Sequence, residues 1–333
     1  MTTLINLCNF FPIQANEYFP AYIMRLRYLG KYLSLPSEMF ISDVKAATIS
    51  DNIYPRSIIP CIKKLVSENI VSNNYSIDCK VLTNHYSANY WQGFIKPSEL
   101  NLYNTAIING HKVSKNLFEG EQLLKVFKPL KFCRMCAQDD RELTGLSYWH
   151  SDHQIPTIYI CRKHSIALEH AVWEHKKTLI DYPVISPNSA CRIPKIVITP
   201  LHVWLESQSR HLLTQPLPIT RAWVASIRTS LYEMLEVRHT IRSVMFSREL
   251  INQWVLFLKE AFKKLEPTQR YGAGFELSAA FTVQRILFPK NKYTHPMMFL
   301  LLIKFTEEYL GVNLSIGQAI NSEADGYIDK QLN

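Results

Sequence analysis

The sequence predicts a mainly α protein in three parts: an N-terminal helical domain of helix-turn-helix character over 1–128, a central zinc ribbon over 129–180, and a C-terminal basic helical bundle over 201–312. A Pro-rich connector over 181–200 and an acidic tail over 313–333 complete the chain. Three observations carry this reading. Two pairs of metal-ligand side chains, Cys133-x-x-Cys136 and Cys161-x-x-His164, flank an interval of ribbon-like length. Apolar residues recur at helical spacing on both sides of that interval. Lysines and arginines concentrate between Lys195 and Lys304, where a helical exterior would display them.

Taken in order, residues 1 to about 16 read as an extended lead-in. A helix follows, with Tyr18, Tyr22, Leu26 and Leu29 on one face. Leu35-Pro36-Ser37 breaks it, and Ser37 can cap a second short helix through Phe40 and Val44. A helix, a tight break and another helix form a candidate helix-turn-helix. A further amphipathic stretch covers Ile58 to Val71. The aromatic segment Leu82 to Phe94, with Tyr90, Trp91 and Phe94, reads as core before it reads as a base-stacking platform.

The ribbon follows. Two ligand pairs supply the four soft or borderline donors that tetrahedral zinc takes, and a site filled by four protein ligands is structural, with no open position for catalysis. Cys133, Cys136, Cys161 and His164 are therefore the candidate metal ligands, holding one Zn2+. His150, His153, His170 and His175 compete with His164, and the C-x-x-H spacing favours His164. Asp139 and Asp140, beside Arg141, read as solvated surface.

Between Tyr182 and His202, Pro183, Pro187, Pro194 and Pro200 forbid a continuous helix, so this is the best domain boundary. Helices are then expected over Ala222 to Leu235, Arg248 to Leu265, Glu276 to Phe288 and Pro296 to Leu310. Pro296 fits a helix N1 position after a cap at Thr294 or His295. Candidate nucleic-acid contacts in this region are Arg221, Arg228, Arg238, Arg242, Lys259, Lys263, Lys264, Arg270, Lys290 and Lys292.

A net charge of +9 and an isoelectric point near 9.1 point to a polyanionic partner, DNA foremost. With 47% hydrophobic and 20% charged residues the chain has the composition of a folded soluble protein. It contains no run of about 18 apolar residues, and its opening lacks the basic segment of a signal peptide, so a cytoplasmic location is expected. Of seven cysteines, Cys8, Cys61, Cys79 and Cys191 are scattered outside the ribbon, as free thiols in a reducing compartment are. No Walker loop, H-E-x-x-H string or integrase-like carboxylate triad is present, so the chain is expected not to be an enzyme.

The string Tyr148-Trp149-x-x-x-His153-Gln154-x-Pro156, leading into Cys161-x-x-His164, resembles the signature of the TniQ/TnsD family of transposition target-selection proteins. Thr294 to Phe305 (THPMMFLLLIKF) is similar to a second element of TnsD-type proteins, with His295, Pro296, Leu300, Leu301, Leu302, Ile303 and Phe305 matching. His85 with the aromatics after it also resembles a family segment. Arg134, His150 and Ser165 depart from the family's usual Pro, Arg and Gly, and none of them is a ligand.

The resemblance implies a bacterial, non-catalytic target-site selection protein of a heteromeric cut-and-paste transposon. Its implied partners are target DNA, a transposition ATPase regulator, a Cascade-type CRISPR RNA-protein complex and a second copy of itself. TnsD-like members read a fixed DNA site, whereas TniQ-like members dock on an RNA-guided complex. The acidic tail tilts the expectation toward the second mode, and the basic 195–304 region toward the first. The alternative from another class is a zinc-stabilised DNA-binding transcriptional regulator unrelated to transposition.

Overall fold

A computed structural model of the chain describes residues 13–18, 21–22, 88–96, 100, 130–170, 197–235, 238–239, 244–265, 275–287 and 295–314. These are mainly helical, and the chain divides into two compact units. One unit contains the two ligand pairs, and the other contains the helices that follow Thr199. The candidate helix-turn-helix beyond Tyr22, the Ile58–Val71 stretch, connector residues 181–196 and the tail beyond Leu314 lie outside the described residues.

The described helices of the second unit are α1 (Ala88–Gln92, in this unit from Asn89), α3 (Pro200–Thr214), α4 (Leu217–Met234), α5 (Arg248–Leu265), α6 (Phe275–Leu287) and α7 (Pro296–Leu310). Helix α2 (Arg134–Thr144) belongs to the first unit. Helix α7 is buried from Pro296 to Ile303 and again at Phe305 and Thr306, as a helix apolar on all faces must be. It packs against α3, α5 and α6, while α6 also packs against α4 and α5. Trp223, Trp254, Phe262 and Phe299 are among the side chains with no more than 1% exposure. Phe299 lies edge-on to Phe94 and Trp223 at centroid distances of 5.5 and 5.7 Å. The aromatic segment around Tyr90 is thus core, as expected: Tyr90, Trp91, Phe94 and Ile95 are all buried. Gly93 is required there by space, because a Cβ would sit 2.3 Å from Thr220 Cγ2 on α4.

Two helix starts use histidine as the acceptor for an otherwise orphaned backbone N–H. Thr199 N donates to His202 Nδ1 at 3.1 Å at the start of α3, and Met297 N donates to His295 Nδ1 at 3.1 Å at the start of α7. In both, proline occupies the first helical position, where its missing N–H does no harm. Pro200 therefore opens a helix and does not close the connector. A proline just inside a helix and one in a loop are identical in sequence. Between α4 and α5 the strands β3 (Arg238–His239) and β4 (Val244–Met245) pair antiparallel. This hairpin is too short to leave an alternating pattern in the sequence.

His295 gives the bundle a pH dependence. The residue is 1% exposed, its ring edge-on to Trp91, and burial holds its pKa well below 6.5. The unfolded chain takes up a proton near that ordinary value and the folded chain does not, so the associated stability is complete above pH 6.5 and falls as pH drops below it. The slope is about 1.4 kcal/mol per pH unit. Asparagine at 295 offers a capping acceptor that does not titrate. We expect His295→Asn to flatten the stability curve between about pH 6.5 and 5 relative to wild type, measured by denaturant unfolding at fixed metal loading. Parallel curves would contradict the assignment.

Among the described residues no helix is long and apolar enough to cross a membrane.

Candidate metal centre

In the first unit, strand β1 (Lys131–Phe132) pairs antiparallel with β2 (Glu169–His170), Lys131 opposite His170 and Phe132 opposite Glu169. This register alone draws the ligand pairs together, because the first follows β1 directly and the second lies just before β2. Helix α2 (Arg134–Thr144) begins on the first pair. Cys133 is its N-cap, with extended backbone and a sulfur accepting from Cys136 N at 3.5 Å. Gly145, at φ 78°, closes the helix in the left-handed conformation that favours glycine.

The second pair sits in a tight hairpin. Leu168 N donates to Tyr159 O, Cys161 N to Ile166 O and Ser165 N to Cys161 O, each at 2.8 Å. Ser165 turns the chain with φ 54°. A non-glycine residue there carries a conformational penalty of about 1 kcal/mol, which accounts physically for the glycine at the corresponding place in the signature that this stretch resembles. We expect Ser165→Gly to leave metal binding unchanged and to raise unfolding stability by up to about 1 kcal/mol. A loss of stability would contradict this account of the turn.

Cys133, Cys136, Cys161 and His164 converge, with all four ligand atoms within 4.8 Å of one another. His164 Nδ1 lies 3.4, 3.3 and 3.6 Å from the sulfurs of Cys133, Cys136 and Cys161, and the Cys136 and Cys161 sulfurs are 3.5 Å apart. Tetrahedral zinc with bonds of about 2.3 Å to sulfur and 2.0 Å to nitrogen requires edges of about 3.5–3.8 Å. The three nitrogen–sulfur edges and the Cys136–Cys161 edge match these values to within a few tenths of an ångström, and with every ligand atom within 4.8 Å of the others the donor set could hold one such ion. The electrostatics agree. Three packed thiols compete for one negative charge: hydrogen bonds from Cys133 and Cys136 push Cys161 toward the thiolate, while Cys133 and Cys161 push Cys136 strongly up. A divalent cation ends the competition by taking all three as thiolates.

The filler between the pairs builds the wall of this site. Gln154 imitates a strand: its Oε1 accepts from Lys131 N at 3.0 Å, and its Nε2 donates to Lys131 O and His150 O at 2.9 Å. Buried Lys131 in turn donates to the carbonyls of Ile155 and Ile158 and lies 4.9 Å from the Tyr159 ring centroid. Trp149 is buried edge-on to Phe132. His153, 2% exposed, stacks on His150 and helps push Cys161 toward the thiolate. It supports a ligand and does not replace His164. His150 points away from the cluster, to Asp140 at 3.0 Å. His170 lies in β2, its side chain outside the described residues, as is His175.

The expectation of a solvated Asp139-Asp140 pair is corrected for Asp140, whereas Asp139 remains partly exposed at 31%. Asp140 is 5% exposed and holds His150, and Tyr148 beside it has its phenol pushed up by burial and by that carboxylate. Asp139 accepts from Lys163 and lies 3.1 Å from His164 Nε2. The Lys163 ammonium, followed by His164, holds its carboxyl below the usual range. The neighbouring Arg141 hid both roles, although Cys133, Cys136 and Asp139 at successive intervals of three lie along one helix face.

A second contribution had no signal in the sequence at all. Residues 14–18 pair with the filler, where Glu17 bridges antiparallel to His150 and Tyr18 N donates to Trp149 O at 2.6 Å. Asn16, at φ 62°, accepts from Ser151 N at 2.7 Å and Ser151 Oγ at 2.5 Å and donates to Asp152 Oδ1 at 3.0 Å.

Among the described residues, the candidate nucleic-acid contacts do not form a comparable centre. Arg228 is used inside the bundle: Nε donates to Ile286 O at 2.9 Å, the guanidinium lies 5.7 Å from the Phe299 ring centroid, and burial lowers its pKa. Arg221 is half-buried, with Nε and Nη2 lacking a hydrogen-bond partner among the described residues. Arg238 lies in β3, Lys259 is half-buried on α5, and Lys263 and Lys264 are exposed in the last turn of α5. Arg242, Arg270, Lys290 and Lys292 lie outside the described residues. No family model matches the chain, and no curated protein matches it.

Proposed function

We propose that the protein is a non-catalytic target-site selector of the TniQ/TnsD type, in which Cys133, Cys136, Cys161 and His164 hold one structural zinc ion. The observation that carries this reading is the way in which the string resembling the family signature surrounds the metal group: Trp149 packs on β1, buried His153 favours the Cys161 thiolate, Gln154 clamps Lys131, and Pro156 is buried. Zinc in this donor set supplies closure of the fold. Four protein ligands leave no position for an activated water, so the site's work is to hold a binding surface in shape. The other unit is a helical bundle presenting exposed Lys263 and Lys264, and the net charge of +9 on the whole chain favours association with nucleic acid. Its partners in this reading are target DNA or a Cascade-type RNA-guided complex, a transposition ATPase regulator, and a second copy of the chain.

The test is an association assay with a purified transposition ATPase regulator, joined to a DNA titration at several fixed salt concentrations. Saturable binding of the regulator supports the reading. Discrimination of about a thousandfold between an attachment-site library and random duplex assigns the target reading to the chain itself. Weak, purely salt-driven DNA binding assigns it to a guide complex. DNA binding without any binding of the regulator would replace this function with that of a transcriptional regulator.

A further inference from the structure

We propose that Asp139 is a positioning residue for the metal centre: it fixes His164 in the tautomer that offers Nδ1 to the ion, by accepting the proton on Nε2. The inference rests on the reading of the four-residue group as a metal site and adds an outer member to it. His164 directs Nδ1 at all three sulfurs, at 3.3–3.6 Å, and its opposite nitrogen meets Asp139 Oδ2 at 3.1 Å. A neutral imidazole bound through one nitrogen carries its proton on the other, so the hydrogen bond at Nε2 decides which nitrogen faces the ion and which way the ring is turned.

Three features make this contact more than a surface pair. The imidazole is nearly covered, at 11% side-chain exposure, so the Nε2 proton has little solvent to turn to. Asp139 stands one helical turn beyond the ligand Cys136 on α2, so the helix that presents one ligand also presents the orienting group of another. The carboxylate itself is held by Lys163, the residue before His164, and thus spans both ligand pairs. A carboxylate so placed also offsets part of the positive charge that the ion shares with the ring.

The experiment uses the full chain loaded with Zn2+ and a chromophoric chelator as competitor near neutral pH. We expect Asp139→Ala to weaken zinc binding about 10- to 100-fold. Asp139→Asn, which keeps an acceptor but no charge, should weaken it about 3- to 10-fold. Glu142→Ala, on the exposed face of the same helix, should stay within about twofold. Histidine 15N NMR supplies the readout that general destabilisation would not move. In wild type, His164 carries metal on Nδ1 and a slowly exchanging proton on Nε2. In Asp139→Asn, whose folding is checked by circular dichroism, that proton exchanges faster while the metal remains on Nδ1. Metal bound through Nε2, or affinities of both Asp139 variants within about twofold of wild type, would overturn the proposal. A wild-type chain that takes up no zinc overturns the metal reading and this inference together, before any variant is compared.

Discussion

Replacing Cys161 by alanine is expected to abolish stoichiometric metal binding and to unfold the ribbon. Among the described residues the secondary structure around the metal group is slight: a strand pair of two residues each, one helix of eleven residues and a single turn at Asp152–Gln154. A two-stranded pair is marginal in water, and a helix of this length does not stand alone. A metal cross-link between the start of α2 and the 159–168 hairpin would therefore carry much of the stability, since structural zinc contributes on the order of 10–16 kcal/mol to small domains of this kind at neutral pH. Alanine is the informative change, because serine retains an oxygen that can ligate weakly. The expected readings are metal content falling to near zero and collapse of the near-ultraviolet dichroism of buried Trp149 and Tyr159. Excess chelator on the wild-type chain should give the same spectrum. Retention of one tightly bound ion by Cys161→Ala would show that the ligand set is different.

Phe299→Ala is expected to destabilise the helical unit by about 3–5 kcal/mol, as large as any single packing effect expected in that unit. Phe299 is fully buried on the central helix, edge-on to Phe94 and Trp223 and beneath the Arg228 guanidinium. Truncation opens a cavity that rigid helices cannot close, and it also removes the aromatic face that helps keep a half-buried cation in place. Denaturant unfolding of metal-loaded protein followed by far-ultraviolet dichroism reads the effect. A change below about 1 kcal/mol would mean that α7 is not the centre of the bundle. Leu256→Ala on exposed α5 is the natural control, with an effect within about 0.5 kcal/mol.

What was legible in the sequence follows the range over which its physics acts. Ligand spacing is local chemistry, so the C-x-x-C and C-x-x-H pairs announced the metal group. Helical periodicity is local geometry, so Arg248 to Leu265 and Pro296 to Leu310 agree with the structure at both ends. The predicted start at Ala222 fell five residues late, since Pro216 and Pro218 resemble a break although a helix can begin on them. Long-range pairing leaves no such mark. Nothing near Asn16 shows that its side chain serves Ser151 and Asp152 across more than a hundred residues. Charge is equally mute about depth: Asp140 and Arg228 look like surface in sequence, and burial becomes visible only once His150 and the Ile286 carbonyl are in place beside them.

X-ray absorption at the zinc edge, together with the metal content of the purified full chain, tests the central claim most directly. The account predicts one zinc ion per chain with three sulfur neighbours at about 2.3 Å and one nitrogen neighbour at about 2.0 Å. An oxygen neighbour from water in place of a protein donor would contradict it, because an open position would turn a structural ribbon into a candidate catalytic centre. Absence of stoichiometric metal from a folded chain would contradict it as well.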